Sequence, residues 1–401
     1  MRYCLFKRRD ILVHNHLRAL TACSWAIFSA AAVTPALAES RGYVVSWLGT
    51  ATTLDVVDYK ANCPDGRSGT RMTQIVNEME SAGYTQEQAL KILGSNRDTI
   101  VLPDDVLHTV DMRAVVNGRH VSVYNYPDAT PDPNIETVSG ELAYGFDLGS
   151  PNRANKFIDP QTHQPVDNQW WRAVGCEWTF RSAYPTPPYS EEGTIATMAE
   201  SQPAWAIEIS GDDLSKDGKV TVTVSRTTQH LELDANTEIL RNVSYTLDPD
   251  PAETNVFQGE IKGGELTISS GDLRLKGPLY GGLLLQNTHM RMKSDGDKIT
   301  GFLGGYMKWI PMAFAFTSSP NGGADTVGIY HALKKMADAD PDKTGQNTEI
   351  SATFRFAAVP AYLFAPNGTV LAKPAPQSGP GLGLASAGGC AAAPCLSRTV
   401  Q

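Results

Sequence analysis

What the chain lacks narrows the field first. Its 401 residues contain no G-x-S-x-G, no H-E-x-x-H, and no phosphate-loop or dinucleotide-binding pattern in a strand-to-helix setting. A nucleophile elbow, a helix-borne zinc pair and a nucleotide cradle therefore have no support. There is no C-x-x-C and no C-x-x-C-H, which removes a thioredoxin-like redox pair and a c-type haem. A surplus of basic residues is also missing. The formal net charge is −9, and an acidic chain repels nucleic acid and anionic membrane surfaces at long range, so neither is an expected partner. No apolar run approaches the roughly 20 residues that a membrane-spanning helix needs, so no span is expected once the export signal is removed. Histidines 108, 120, 163, 230, 289 and 331 are scattered singly and suggest no ligand set.

What is present describes a folded, turn-rich, exported chain. Hydrophobic residues make up 41% and charged residues 19%, enough for one large or two medium domains. Residues 1–38 read as a cleaved export signal. Lys7, Arg8, Arg9 and Arg18 precede the weakly apolar run Ala19 to Val33, and Pro35-Ala36-Leu37-Ala38 supplies the small-residue cleavage pattern. Arg8-Arg9 admits the twin-arginine route alongside the ordinary Sec route. Either leads to a periplasmic or secreted protein. In such a compartment the four cysteines beyond the signal read as disulfides, Cys63 with Cys176 and Cys390 with Cys395. A reactive thiol at Cys63, near Lys60 and Arg67, is the competing reading.

Three further stretches follow: an α+β region over 39–200, an antiparallel β region over 201–370, and a Pro, Gly, Ala and Ser tail over 371–401 that is too poor in apolar residues to bury a core. Tyr43 to Trp47 and Thr53 to Val57 read as strands. Met72, Ile75, Val76 and Met79 then set a helical period ending at Gly83, and Thr85-x-x-Gln88 is a capping box opening a second helix. Beyond Pro203 come short runs separated by Gly, Asp, Asn and Pro: Ala204 to Ile209, Lys219 to Val224, Leu231 to Leu233, Val243 to Leu247, Val256 to Ile261, Glu265 to Ile268, Leu283 to Met292 and Lys298 to Leu303. Lys219 to Val224 alternates cleanly, and Asp295-Gly296 signals a hairpin. The fold class is thus α+β and β-rich: an antiparallel sandwich or open barrel in the C-terminal half, a short helix pair near the N-terminus, and one late helix carrying Ile329, Leu333 and Met336.

Two stretches could carry chemistry. Asp167-Asn168-Gln169-Trp170-Trp171 sets aromatic rings beside amides and a carboxylate, the residue types that stack on sugar faces and bind their hydroxyls, which makes it a candidate site for a glycan or small-molecule ligand. A disulfide-pinned core corner near Cys176 is the favoured reading. Asp338, Asp340, Asp342 and Glu349 fall at loop positions 1, 3, 5 and 12, the oxygen spacing of a helix-loop calcium site. Lys343 stands where the tight turn wants glycine, and a strand follows instead of a helix. Asp213-x-Ser215-x-Asp217-Gly218 is a weaker calcium candidate, and for both loops a polar turn is the favoured reading.

Cys63-Pro64-Asp65-Gly66, Val166-Asp167-Asn168-Gln169, Gln202-Pro203-Ala204-Trp205, Asp213-Leu214-Ser215-Lys216-Asp217-Gly218, Asn255-Val256-Phe257-Gln258-Gly259, Gly301-Phe302-Leu303-Gly304-Gly305-Tyr306 and Ala337-Asp338-Ala339-Asp340-Pro341 together resemble a family of uncharacterised exported proteobacterial proteins. The resemblance spans Cys63 to Ala361. It implies export and one integrated unit, and no catalytic residues. The expected function is a non-catalytic binding or envelope-associated protein, stabilised by calcium if the acidic loop holds it. An exported hydrolase acting on glycan or another polymer is the alternative.

Overall fold

The structure is a computed structural model. It describes residues 38–52, 60–65, 75–76, 79–80, 83–95, 114–150, 156–177, 180–181, 199–200, 202–236, 238–277, 282–295, 298–317 and 326–374. Eight long strands carry the architecture: β1 (Glu39–Thr50), β2 (Trp205–Gly211), β3 (Gly218–Arg226), β4 (Thr254–Lys262), β5 (Glu265–Leu275), β6 (Leu283–Ser294), β7 (Ile299–Lys308) and β8 (Asn347–Phe364). Each pairs antiparallel with the next in chain order, and β8 returns to β1 from Tyr43↔Pro360 to Thr50↔Phe354. The sheet is therefore a closed barrel of eight strands, not an open one. Closure leaves no unpaired edge between β1 and β8 for another chain to join.

Period-two patterning explains the barrel. Val220, Val222 and Val224 are buried on one face of β3 while Lys219 and Thr221 on the other are exposed or partly so. Their counterparts Ile207, Ile209, Phe257, Ile261, Leu266, Ile268, Leu285, Met290, Leu303, Phe354 and Phe356 join one continuous apolar cluster. An eight-stranded barrel is just wide enough for side chains to fill, and here they fill it. Its outer wall is largely polar, the reverse of the pattern of a lipid-facing barrel. Gly301 on β7 makes room inside, because a Cβ there would stand 2.9 Å from the Phe356 ring.

Helices close one end. The turn of β7 into β8 carries α3 (Trp309–Thr317) and α4 (Thr326–Met336), and α2 (Gln169–Val174) packs on α4 and β8. Trp170, Val174, Trp309, Met312, Ile329 and Leu333 extend the barrel's own cluster. Residues 307–316, rich in Met, Ile and Phe, thus divide between the end of β7 and α3. Outside, a second cluster joins Val44, Ala206, Val359 and Leu363 to Leu231, Tyr245 and Ala372, where the short strands Val243–Thr246 and Val370–Ala372 flank the end of β8.

The helix pair is present. Residues 75–76 and 79–80 are helical, and α1 (Gln86–Ser95) follows. The Gln88 side chain accepts from the Thr85 amide at 2.7 Å while Thr85 Oγ1 accepts from the Gln88 amide at 3.2 Å, a completed capping box. Ile75, Val76, Met79, Ala89 and Leu93 bury against one another. The strand expected over Thr53 to Val57, the export signal and the 375–401 part of the tail lie outside the described residues.

The division at residue 200 does not separate two cores. β1, from the first stretch, completes the barrel of the second, and Ala38–Gln401 clusters as one unit. Cys63 and Cys176 are joined, with Cα atoms 5.8 Å apart, which removes the reactive thiol reading at Cys63. The bond lies in a cluster with Val138, Ala143, Phe157, Val166 and Trp171. Cys390 and Cys395 lie outside the described residues.

Candidate binding site

The outer faces of β6, β7 and β8 meet in register. Across the three strands the rows run Gln286, Tyr306, Ser351; then His289, Gly304, Thr353; then Arg291, Phe302, Arg355; and Lys293 stands beside Thr300. Residues 143–150 and 156–166 are laid across this wall. Tyr144 stacks on Phe302 with ring centroids 4.6 Å apart, and Phe146 stacks on His289 at 5.8 Å. Phe146 lies so close to the sheet that a Cβ on Gly304 would come within 2.7 Å of it. Burial under this ring lowers the His289 imidazole from its ordinary value.

Asp159 fixes the segment to the wall. It is fully buried and ion-pairs Arg291, itself buried, whose Nη1 also donates to the Gly145 carbonyl at 3.4 Å. Asp159 accepts from the amides of Gly145, Gln161 and Thr162 at 3.1, 2.8 and 3.0 Å. Burial alone would raise its carboxyl, but the Arg291 guanidinium and those amides hold it below the usual carboxylate range. The Arg291 guanidinium also stands 4.9 Å from the Phe302 centroid and that of Arg355 5.8 Å, so Phe302 sits between two cations.

Beyond Tyr144 the wall carries no further cover among the described residues. An open cleft of 80 Å³ remains, lined by Gln161, Glu265, Arg291, Met292, Lys293, Thr300, Gly301, Phe302 and Arg355. Three of these nine residues are cationic and one, Glu265, is a carboxylate, paired with Lys293 at 3.1 Å. Gln161 reaches the cleft because Asp159 holds its backbone.

At the other end of the wall lies a partly buried acidic knot. Asp338 accepts from the Ser351 amide at 2.7 Å and hydroxyl at 2.8 Å, and Ser351 Oγ accepts from the Gln169 amide at 2.9 Å. Burial, added to by the nearby Asp167 charge, outweighs the Ser351 bonds and pushes the Asp338 carboxyl up to about 6. A native carboxyl above its unfolded value favours the fold when protonated. That contribution is present below the unfolded value of 3.8 and is lost as pH rises through about 6. From about pH 5 to about pH 7 the wild type should lose on the order of 1–3 kcal/mol that Asp338→Asn does not lose. Urea unfolding across this range reads the difference, and parallel curves for the two proteins would remove Asp338 as the cause.

The residues singled out in the sequence take structural places. Asp167 accepts from the Leu148 amide at 2.9 Å and from Lys156 at 3.3 Å. Asn168 caps α2, its Oδ1 accepting from the Trp171 amide at 3.1 Å. Gln169 is buried beside Ser351. Trp170 and Trp171 are both 0% exposed, the first edge-on to Phe180 in the barrel-end cluster and the second against the disulfide. Rings enclosed in this way offer no face for a sugar to stack on, so the candidate ligand surface at 167–171 gives way to the core corner, the reading favoured from the residues.

The acidic loop is a hairpin. Ala339–Pro341 pairs with the start of β8, and the Lys308 ammonium stands between two of its carboxylates. Asp340 pairs with Lys308 at 2.6 Å, Asp342 accepts from the Thr344 amide at 2.7 Å and Glu349 pairs with Lys308 at 3.0 Å. Asp213 likewise turns onto Ser215 and Lys216. Among the described residues no group of three His, Cys, Asp or Glu is arranged to hold a metal. The calcium expectation therefore has no geometric support at Asp338, Asp340, Asp342 and Glu349.

The sequence reading missed Asp159, Arg291, Lys293 and Arg355. A signal for two of them existed: Arg291 and Lys293 alternate with the apolar Met290 and Met292, so they had to share the outer face. Set against known proteins, the chain matches no family model, no curated protein and no solved structure.

Proposed function

We propose that this protein is an exported, non-catalytic binding module that takes its ligand on the outer wall of its barrel, in the cleft between Arg291 and Arg355. The observation that carries the reading is the contrast between a lumen packed with apolar side chains and an open, polar-lined cleft on the wall outside it. A binding site is a concavity with a few placed polar groups, and here those groups stand on adjacent strands of a closed sheet. Export is supported by the basic, apolar and small-residue order of residues 1–38, and the Cys63–Cys176 bond suits an oxidising compartment.

The hydrolase reading needs two convergent carboxylates, or a carboxylate with a histidine. Glu265 is the one carboxylate among the residues that line the cleft, and it is tied to Lys293. The test is to titrate the purified mature protein with envelope polysaccharides while assaying for new reducing ends. Saturable binding without new ends is expected. Release of reducing ends that disappears in Glu265→Gln would overturn the assignment in favour of the hydrolase.

A further inference from the structure

We infer that the cleft on β6, β7 and β8 binds an oxyanion, a carboxylate or phosphate group carried by the ligand. The inference rests on the binding reading above and adds the chemical class. Arg291 and Lys293 lie two residues apart on one face of β6, and Arg355 lies two strands away in the row of Arg291. Sheet spacings then set the three backbone positions roughly 7–12 Å apart around the opening, a span that one oxyanion reached by long side chains can bridge. Thr300, the register partner of Lys293, and Gln161 add neutral hydrogen-bonding groups to the same lining.

The cations do different work. Arg291 is held by Asp159 and the Gly145 carbonyl, so it forms the fixed floor. Arg355 is partly exposed at the rim over the edge of Phe302, and a guanidinium presents donors in a fork that matches an oxyanion. Lys293 is 66% exposed and paired with Glu265, and an exposed pair of this kind is worth at most about 1 kcal/mol. An arriving anion therefore draws Lys293 from Glu265 at small cost. The arrangement is local: three cations converge in a chain whose net charge is −9, so approach is directed by the patch and not by the field of the whole molecule.

The probes are glucuronate, inorganic phosphate and glucose, titrated into the mature protein and followed by calorimetry and by backbone amide shifts. Glucuronate or phosphate should shift amides of residues 291–302 and 355, with affinity falling as sodium chloride rises, and glucose should not. The stronger of the two anions tells whether a sugar acid or a phosphate group is the natural source. Arg355→Gln and Lys293→Gln should each weaken binding at least about 10-fold. Glu265→Gln, which removes the competing carboxylate, should strengthen it. Lys293 is exposed enough that its variant keeps the fold, which the unfolding midpoint verifies. If glucose shifts the same amides as strongly as glucuronate, the oxyanion assignment falls while the cleft remains a binding site. If neither the three probes nor envelope polysaccharides disturb the cleft, both readings fall.

Discussion

Removing the disulfide by a Cys63→Ala, Cys176→Ala double substitution should destabilise the protein by about 2–5 kcal/mol. The two cysteines are 113 residues apart, so the bond restricts the unfolded chain over a long loop, for which loop-closure entropy alone suggests about 4–5 kcal/mol. Native packing points the same way. The bond is enclosed by Val138, Ala143, Phe157, Val166 and Trp171, a small cluster apart from the barrel core. A cluster of this size buries too little apolar surface to hold its segment without the crosslink. Ala143 to Val166 also carries Tyr144, Phe146 and Asp159, the residues that build the back of the cleft. Reduction should therefore loosen the covering segment before the barrel, and a probe of Trp171 should change at lower urea than a probe of the barrel strands. A single transition unaltered by reductant would show that the covering segment stands on its own packing.

Asp159→Ala should cost about 3–5 kcal/mol. The Arg291 side chain is only 8% exposed, so its guanidinium would be left with the Gly145 carbonyl and the faces of Phe146 and Phe302. The amides of Gly145, Gln161 and Thr162 would lose their acceptor as well. Breaking one side of a buried pair leaves an uncompensated charge, whereas removing both sides removes the problem with it. The double variant Asp159→Ala, Arg291→Met should thus recover more than half of the loss in urea unfolding. A loss below about 1 kcal/mol in the single variant would mean that water reaches Arg291 and that the pair is not the clamp described here.

Local patterns carried much of this fold. Val220, Val222 and Val224 announced their strand by alternation, Thr85 and Gln88 their capping box, and Ile329 and Leu333 the stripe of α4. Closure of the barrel was not legible, because the pairing of Tyr43 with Pro360 depends on residues more than 300 positions apart that carry no mark of each other. The same limit hid the cleft. Asp159 and Arg291 are 132 residues apart, and each alone reads as a turn residue or a strand charge. At Trp170 and Trp171 composition left two readings, since a ring beside amides looks alike whether it faces a sugar or a disulfide, and the structure has the favoured core corner. At Asp338 to Glu349 aspartates suit a hairpin turn as well as a cation, and the favoured turn is what the hairpin shows.

The central claim is that ligands meet the outer wall and not the lumen or the helix-capped end. Hydrogen–deuterium exchange with and without glucuronate or inorganic phosphate locates the contact most directly. Slowed exchange confined to peptides covering residues 159–164, 291–302 and 355 is expected. Protection centred instead on α2, α3 and α4, with those peptides unchanged, would contradict it.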